Sequence, residues 1–203
     1  MKKMIDLANK YRPTSLDSFV GQSHIISKDK ALYKLIKQKD IPHLFFYGKP
    51  GTGKTTLAKI IAREISSDYH YFNATTFKIE DLRKVFDRYK NSFIKPLIFI
   101  DEVDAILPKR DLDNLNQHYA SEVNEFLVQM TDCISRNIFI VAATNRPEVI
   151  EPAILRAGRL DKSIYIGLPD FNTRMEVLKF ELKNRPYDGD LDISHLAMIT
   201  TCY

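Results

Sequence analysis

Apolar residues in this chain follow two alternating patterns. Short runs rich in Ile, Phe, Val, Leu and Tyr, each close to a turn signal, occur at Leu44–Tyr47, His70–Asn73, Leu97–Ile100, Ile138–Ala142 and Ile164–Ile166. They predict five β-strands. Leu97–Ile100 and Ile138–Val141 are continuously apolar, which predicts strands covered on both faces, as in a parallel sheet between helical layers. Between the runs, apolar residues recur at three- and four-residue steps. Ala31, Leu32, Leu35 and Ile36 form one such face, and Leu57, Ile60, Ile61 and Ile65 a second. Ile79, Leu82, Val85, Phe86 and Tyr89 form a third, and Leu115, Tyr119, Val123, Phe126, Leu127 and Met130 a fourth. These are amphipathic helices, and their aromatic residues are read as core. Strand and helix in alternation predict a doubly wound parallel α/β fold of five strands flanked by helices.

The pattern changes near Leu168–Asp170. Beyond it only helical spacing remains: Met175, Leu178 and Leu182 on one stripe, then Leu196 and Ile199, with a break at Pro186–Gly189. The expected division is an α/β domain over residues 1–169 and part of a small helical lid over 170–203.

Composition narrows the class. With 203 residues the chain is long enough to bury a core without metal or disulfide staples. Twelve Phe and ten Tyr argue against disorder. Two cysteines make neither a disulfide framework nor a four-thiolate zinc site, and the five histidines lack ligand spacing. Thirty basic against 26 acidic residues leave a net charge of +4, with the signs interspersed. That balance fits a solvated mixed surface and leaves contact with DNA open. No apolar run reaches the length of a membrane span, and the basic start lacks the apolar core of a secretory signal. A cytoplasmic location without membrane contact is the expectation. The run Lys109–Asn114 reads as an exposed loop, with a position facing a ring pore as the alternative.

Chemistry concentrates at two places. Gly48-Lys49-Pro50-Gly51-Thr52-Gly53-Lys54-Thr55 matches G-x-x-x-x-G-K-[ST], and three of the seven glycines lie within its first six residues. A strand precedes it and an amphipathic helix beginning near Thr56 follows. Such a loop turns consecutive backbone N–H groups toward phosphate at a helix N-terminus. Gly48, Pro50, Gly51, Thr52, Gly53 and Thr56 would form the cradle; Lys54 would meet the β- and γ-phosphates, and Thr55 would ligate Mg²⁺. The second place is the end of Leu97–Ile100, where Asp101 and Glu102 follow an apolar strand. Asp101 would hold Mg²⁺ with Thr55, and Glu102 would polarise the attacking water. Asn145, after the strand at Ile138–Ala142, is placed either to hold that water or the γ-phosphate, or simply to cap a loop.

Together these residues resemble the AAA+ ATPases, and more narrowly the AAA proteins proper, over nearly the whole chain. Ile98–Ile106 is similar to their Walker B segment, and residues 142–161 (Ala-Ala-Thr-Asn-Arg-Pro through Arg-Ala-Gly-Arg-Leu-Asp) to their second region of homology. The resemblance implies hydrolysis of ATP with Mg²⁺ and assembly into a homo-oligomeric ring, a hexamer, that remodels a protein partner. It makes Asn145 the sensor 1 residue. It makes Arg156 and Arg159 arginine fingers acting on ATP bound to the adjacent subunit, against the plainer reading of two surface charges. Lys10-Tyr11-Arg12-Pro13, Phe19-Val20-Gly21-Gln22 and Pro42–Gly48 look like clamp-loader and related DNA-linked members. That likeness implies an adenine pocket lined by Tyr11, Arg12, Val20 and Gly21.

Two departures stand out. No glycine occurs between Gly53 and Gly158, so the aromatic–hydrophobic–glycine loop of protein-threading rings has only Phe77-Lys78 as a counterpart. The sequence stops at about where the lid's sensor 2 region would begin, which suggests a fragment with an incomplete lid. Two rival functions follow: a DNA-associated clamp-loader-like factor, and a nucleotide-gated binding module with little turnover.

Overall fold

A computed structural model describes residues 12–76, 78–107, 124–131, 133, 137–156, 158–160, 162–183 and 190–201. Five strands, β1 (Leu44–Tyr47), β2 (Tyr69–Asn73), β3 (Leu97–Asp101), β4 (Phe139–Thr144) and β5 (Lys162–Tyr165), form one sheet in the order β2-β3-β4-β1-β5. Every pairing is parallel. All five C-terminal ends therefore share one edge of the sheet, where an open α/β fold presents its ligands. The expected fold class is the one observed.

Alternation within each strand sorts the core into two layers. Leu44 and Phe46 of β1, Leu97 and Phe99 of β3, and Val141 and Ala143 of β4 point to one face. There they meet α2 (Ala31–Gln38) through Leu32 and Ile36, and α3 (Lys54–Glu64) through Leu57, Ile60 and Ile61. Phe45, Ile98, Ile100, Ile140 and Ala142 point to the other face. They pack on Leu82, Val85 and Phe86 of α4 (Ile79–Tyr89) and on Phe126 and Met130 of a helical stretch at 124–131. Strands buried on both faces explain the continuous apolar runs. A short α1 (Ser23–Ile26) precedes α2. Leu115, Tyr119 and Val123 of the fourth expected face lie outside the described residues, as do Phe77, the run Lys109–Asn114 and Tyr11.

Two expectations shift. β5 begins two residues before the expected Ile164, with exposed Lys162 and Ser163. An edge strand has one open side, and polar residues guard it, which hides the strand from an apolar-run reading. In the last helices, α5 (Phe171–Leu182) and α6 (Ile193–Ile199), Met175, Leu178 and Leu182 are half-buried, but Ile199 is 60% exposed while Ala197 is buried. Asp170 and Asp192 cap these helices, accepting from the backbone N–H of Thr173 (2.8 Å) and His195 (3.0 Å).

Candidate nucleotide site

The glycine-rich loop leaves β1 at Tyr47 and enters α3 at Lys54. Gly48 holds φ +149°, and a Cβ there would overlap the carbonyl oxygen of Ile166, just beyond β5. Close packing of the loop on its neighbour strand thus admits no side chain. Gly48→Ala is expected to cost about 1–3 kcal/mol of backbone strain and displacement. Thermal melting should read this as a loss of roughly 3–10 °C. Gly53 caps α3 with φ +98° and faces the Phe19 ring, whose Cζ lies 3.2 Å from where its Cβ would be.

Inside the loop, Thr52 Oγ1 donates to Lys49 O at 3.0 Å. The Lys54 ammonium donates to Gly48 O at 2.9 Å and Lys49 O at 2.8 Å. Lys54 is only 6% exposed. Burial pushes its pKa below the ordinary lysine value, and the Asp101 charge partly opposes the shift. Asp101 feels the reverse. Burial raises its carboxyl pKa, against hydrogen bonds from Thr55 and from the Glu102 backbone N–H. The Thr55 Oγ1–Asp101 Oδ2 distance is 3.1 Å, as is Glu102 N–Asp101 Oδ1. The start of α3 and the end of β3, 46 residues apart in sequence, therefore meet.

A hydroxyl beside a carboxylate is a hard oxygen donor set, and it suits Mg²⁺. Among the described residues no group of three or more His, Cys, Asp or Glu side chains converges on a metal position. Thr55 and Asp101 would accordingly share such an ion with phosphate oxygens and water.

Glu102 adopts a left-handed conformation (φ 55°, ψ 39°) directly after β3. For a non-glycine residue this is an uncommon, costly geometry of the sort found at functional sites. Its Oε2 accepts a hydrogen bond from Asn73 Nδ2 at 3.1 Å. Asn73 was not among the residues singled out from sequence. It ends β2 in register with Asp101, and a polar residue closing a strand was its only sequence signal. Asn145 follows β4 at the same edge and is exposed.

Beside the loop lies a cavity of about 890 Å³, within the range of small-molecule sites. Lys49–Gly53 and Thr56 form one wall, Pro13, Phe19 and Val20 another, and Leu168, Thr173, Arg174 and Val177 a third. Of the expected adenine-pocket residues, Val20 lines it. Gly21 instead abuts Thr173, and exposed Arg12 is not among the lining residues. Gln22, which closes the Phe19–Gln22 segment singled out from sequence, lines it and exchanges two hydrogen bonds with the Gly167 backbone. Its Nε2 donates to O at 2.7 Å, and its Oε1 accepts from N at 3.3 Å.

Arg156 and Arg159 lie between the 3-10 turn Pro152–Leu155 and β5, on either side of Gly158 with φ +80°. Arg156 is exposed; Arg159 donates from Nη1 to Ala153 O at 2.7 Å. Neither lines the cavity.

A parallel sheet with a glycine loop, an invading lysine and a hydroxyl–carboxylate pair at one edge defines a P-loop nucleoside triphosphatase. Residues 44–168 match the model of the ATPase family associated with various cellular activities (AAA), and the chain belongs to that family. It is 38% identical over 165 residues to the ATP-dependent zinc metalloprotease FtsH 2 of Thermoanaerobacter sp. (strain X514), covering 77% of this chain and 32% of that protein. It is 36% identical over 184 residues to a protein named a cell division cycle ATPase in Plasmodium falciparum (isolate 3D7), covering 84% of this chain and 14% of that protein. The chain thus spans about a third and about a seventh of these relatives. The comparisons identify the AAA family; the clamp-loader likeness of the amino-terminal segment is not among what they establish. Among the described residues no helix is long and apolar enough to cross a membrane.

Proposed function

We propose that this chain binds ATP at residues 48–56 and hydrolyses it in an oligomeric ring to remodel a protein partner. The observation that carries the reading is the Thr55–Asp101 contact, which joins the phosphate loop to the acidic strand end. Bound Mg²⁺ would supply charge neutralisation at the phosphates, held by Thr55 and Asp101. The Lys54 ammonium binds the β- and γ-phosphate oxygens in place of the loop carbonyls. The Glu102 carboxylate takes a proton from water as its oxygen bonds to the γ-phosphorus and the bond to the ADP oxygen breaks. Asn145 orients that water or the γ-phosphate. Asn73 restrains Glu102 through their hydrogen bond.

Arg156 and Arg159 act on ATP held by a neighbouring copy. A guanidinium is a permanent charge with a planar fork that fits phosphate oxygens, and both arginines lie away from the chain's own cavity. A protein substrate accords with the name of the FtsH relative, a protease.

The test mixes two inactive variants. Arg156→Ala should keep ATP affinity while lowering turnover on the order of 10³-fold or more. Mixed with Glu102→Gln subunits, it should recover part of the lost phosphate release, because an intact Glu102 and an intact Arg156 then meet at shared sites. If mixing recovers nothing while each variant still assembles, action between subunits is wrong.

A further inference from the structure

Just outside the proposed reaction centre, Asp104, Thr144 and Arg146 are joined by two hydrogen bonds and an ion pair. Asp104 lies in the 3-10 turn Val103–Ala105, two residues past Glu102. Its Oδ1 accepts from the Thr144 hydroxyl at 2.6 Å, and its Oδ2 lies 3.3 Å from Arg146 Nε. The Thr144 oxygen in turn accepts the Arg146 backbone N–H at 2.9 Å. Thr144 is 1% exposed, so its hydroxyl depends on these partners.

Between the two anchored residues sits Asn145. Asp104 therefore holds Thr144 directly and, through the Thr144 hydroxyl, the backbone just after Asn145. Pro147 narrows the choice further, since a residue before proline has few backbone conformations. The same turn is tied to Glu102, whose carbonyl accepts from Ala105 N at 2.9 Å. Asp104 thus joins the segment carrying Glu102 to the segment carrying Asn145.

We propose that Asp104, acting with Thr144, is a positioning residue for hydrolysis: it sets where Asn145 stands relative to Glu102. This rests on the reading of Asn145 as a reaction-centre residue. Asp104 touches neither water nor phosphate in this role. It acts through the backbone of residues 144–146, and small misplacements of this kind cost about 10²-fold in rate.

The experiment uses the full chain and measures steady-state phosphate release alongside the affinity for a fluorescent ATP analogue. Asp104→Asn and the near-isosteric Thr144→Val should each lower kcat by about 10–100-fold. Analogue affinity should change less than about three-fold, since the phosphate loop is untouched. Thr144→Ser, which restores the hydroxyl, should regain most of the rate lost in Thr144→Val. A role confined to stability would lower kcat and affinity together, and that result overturns the proposal.

The double variant Asp104→Asn/Asn145→Ala separates the two layers of the argument. If Asp104 works through Asn145, the double variant is no slower than Asn145→Ala alone. Multiplying losses, with Asn145→Ala itself slow, overturn the positioning role and leave Asn145 in place. An Asn145→Ala variant with unchanged kcat overturns the reading of Asn145, and the Asp104 proposal falls with it.

Discussion

Replacing Lys54 with alanine is expected to abolish measurable ATP binding while leaving a folded protein. The ammonium is buried in the loop, and among the described residues only the carbonyl oxygens of Gly48 and Lys49 are bonded to it. Those are dipoles, whereas a triphosphate offers full charges. Burial lowers the lysine pKa, so the charged form is less favourable in the fold than in the unfolded chain. The sign follows: a depressed lysine contributes stability above its unfolded pKa, and that contribution is lost as pH falls through the folded pKa. Where it is charged, this side chain burdens the fold, and a bound phosphate would relieve that burden. Charge-assisted hydrogen bonds contribute about 1.5–3 kcal/mol each. Losing those to two phosphate groups would weaken binding on the order of 10²–10⁴-fold. Calorimetric titration with ATP and Mg²⁺ measures it, and a melting curve without nucleotide verifies folding. An affinity within a few-fold of the parent would place the phosphates elsewhere.

The second large effect belongs to Glu102. Glu102→Gln removes the proposed proton acceptor and keeps the shape, so ATP should still bind while turnover falls by about 10²–10⁴-fold. The hydrogen bond from Asn73 can survive, because glutamine retains a side-chain carbonyl oxygen. Radiolabelled ATP should then be recovered from the protein as ATP rather than ADP. Parent-like phosphate release from this variant would remove Glu102 from the chemistry.

What the sequence disclosed, and what it hid, follows from how local each signal is. Strands β1, β3 and β4 were legible because burial on both faces leaves an unbroken apolar run. β5 was displaced because its open edge carries Lys162 and Ser163. The phosphate loop was legible because its requirements are consecutive in the chain: Gly48 cannot carry a side chain against Ile166, and Lys54 and Thr55 follow at fixed spacing. Asp101 and Glu102 were legible as acids closing an apolar strand. Asn73 was not, since its partner Glu102 comes 29 residues later and meets it only through the pairing of β2 with β3. Asp104 and Thr144, 40 residues apart, were hidden for the same reason. Of the residues expected around an adenine, Val20 lines the cavity, Gly21 is packed against Thr173 and Arg12 is exposed.

The paired bonds between Gln22 and Gly167 span 145 residues of chain. A carboxamide gives and takes hydrogen as a peptide unit does, so this side chain serves as one more rung beyond β5. The segment ahead of the first strand is thereby spliced to the segment behind the last. Any swing of α5 relative to the sheet would pull on that splice or bend the three residues between Gly167 and Phe171. The aromatic wall at Phe19 would travel with the splice, linking the shape of the cavity to the tilt of α5.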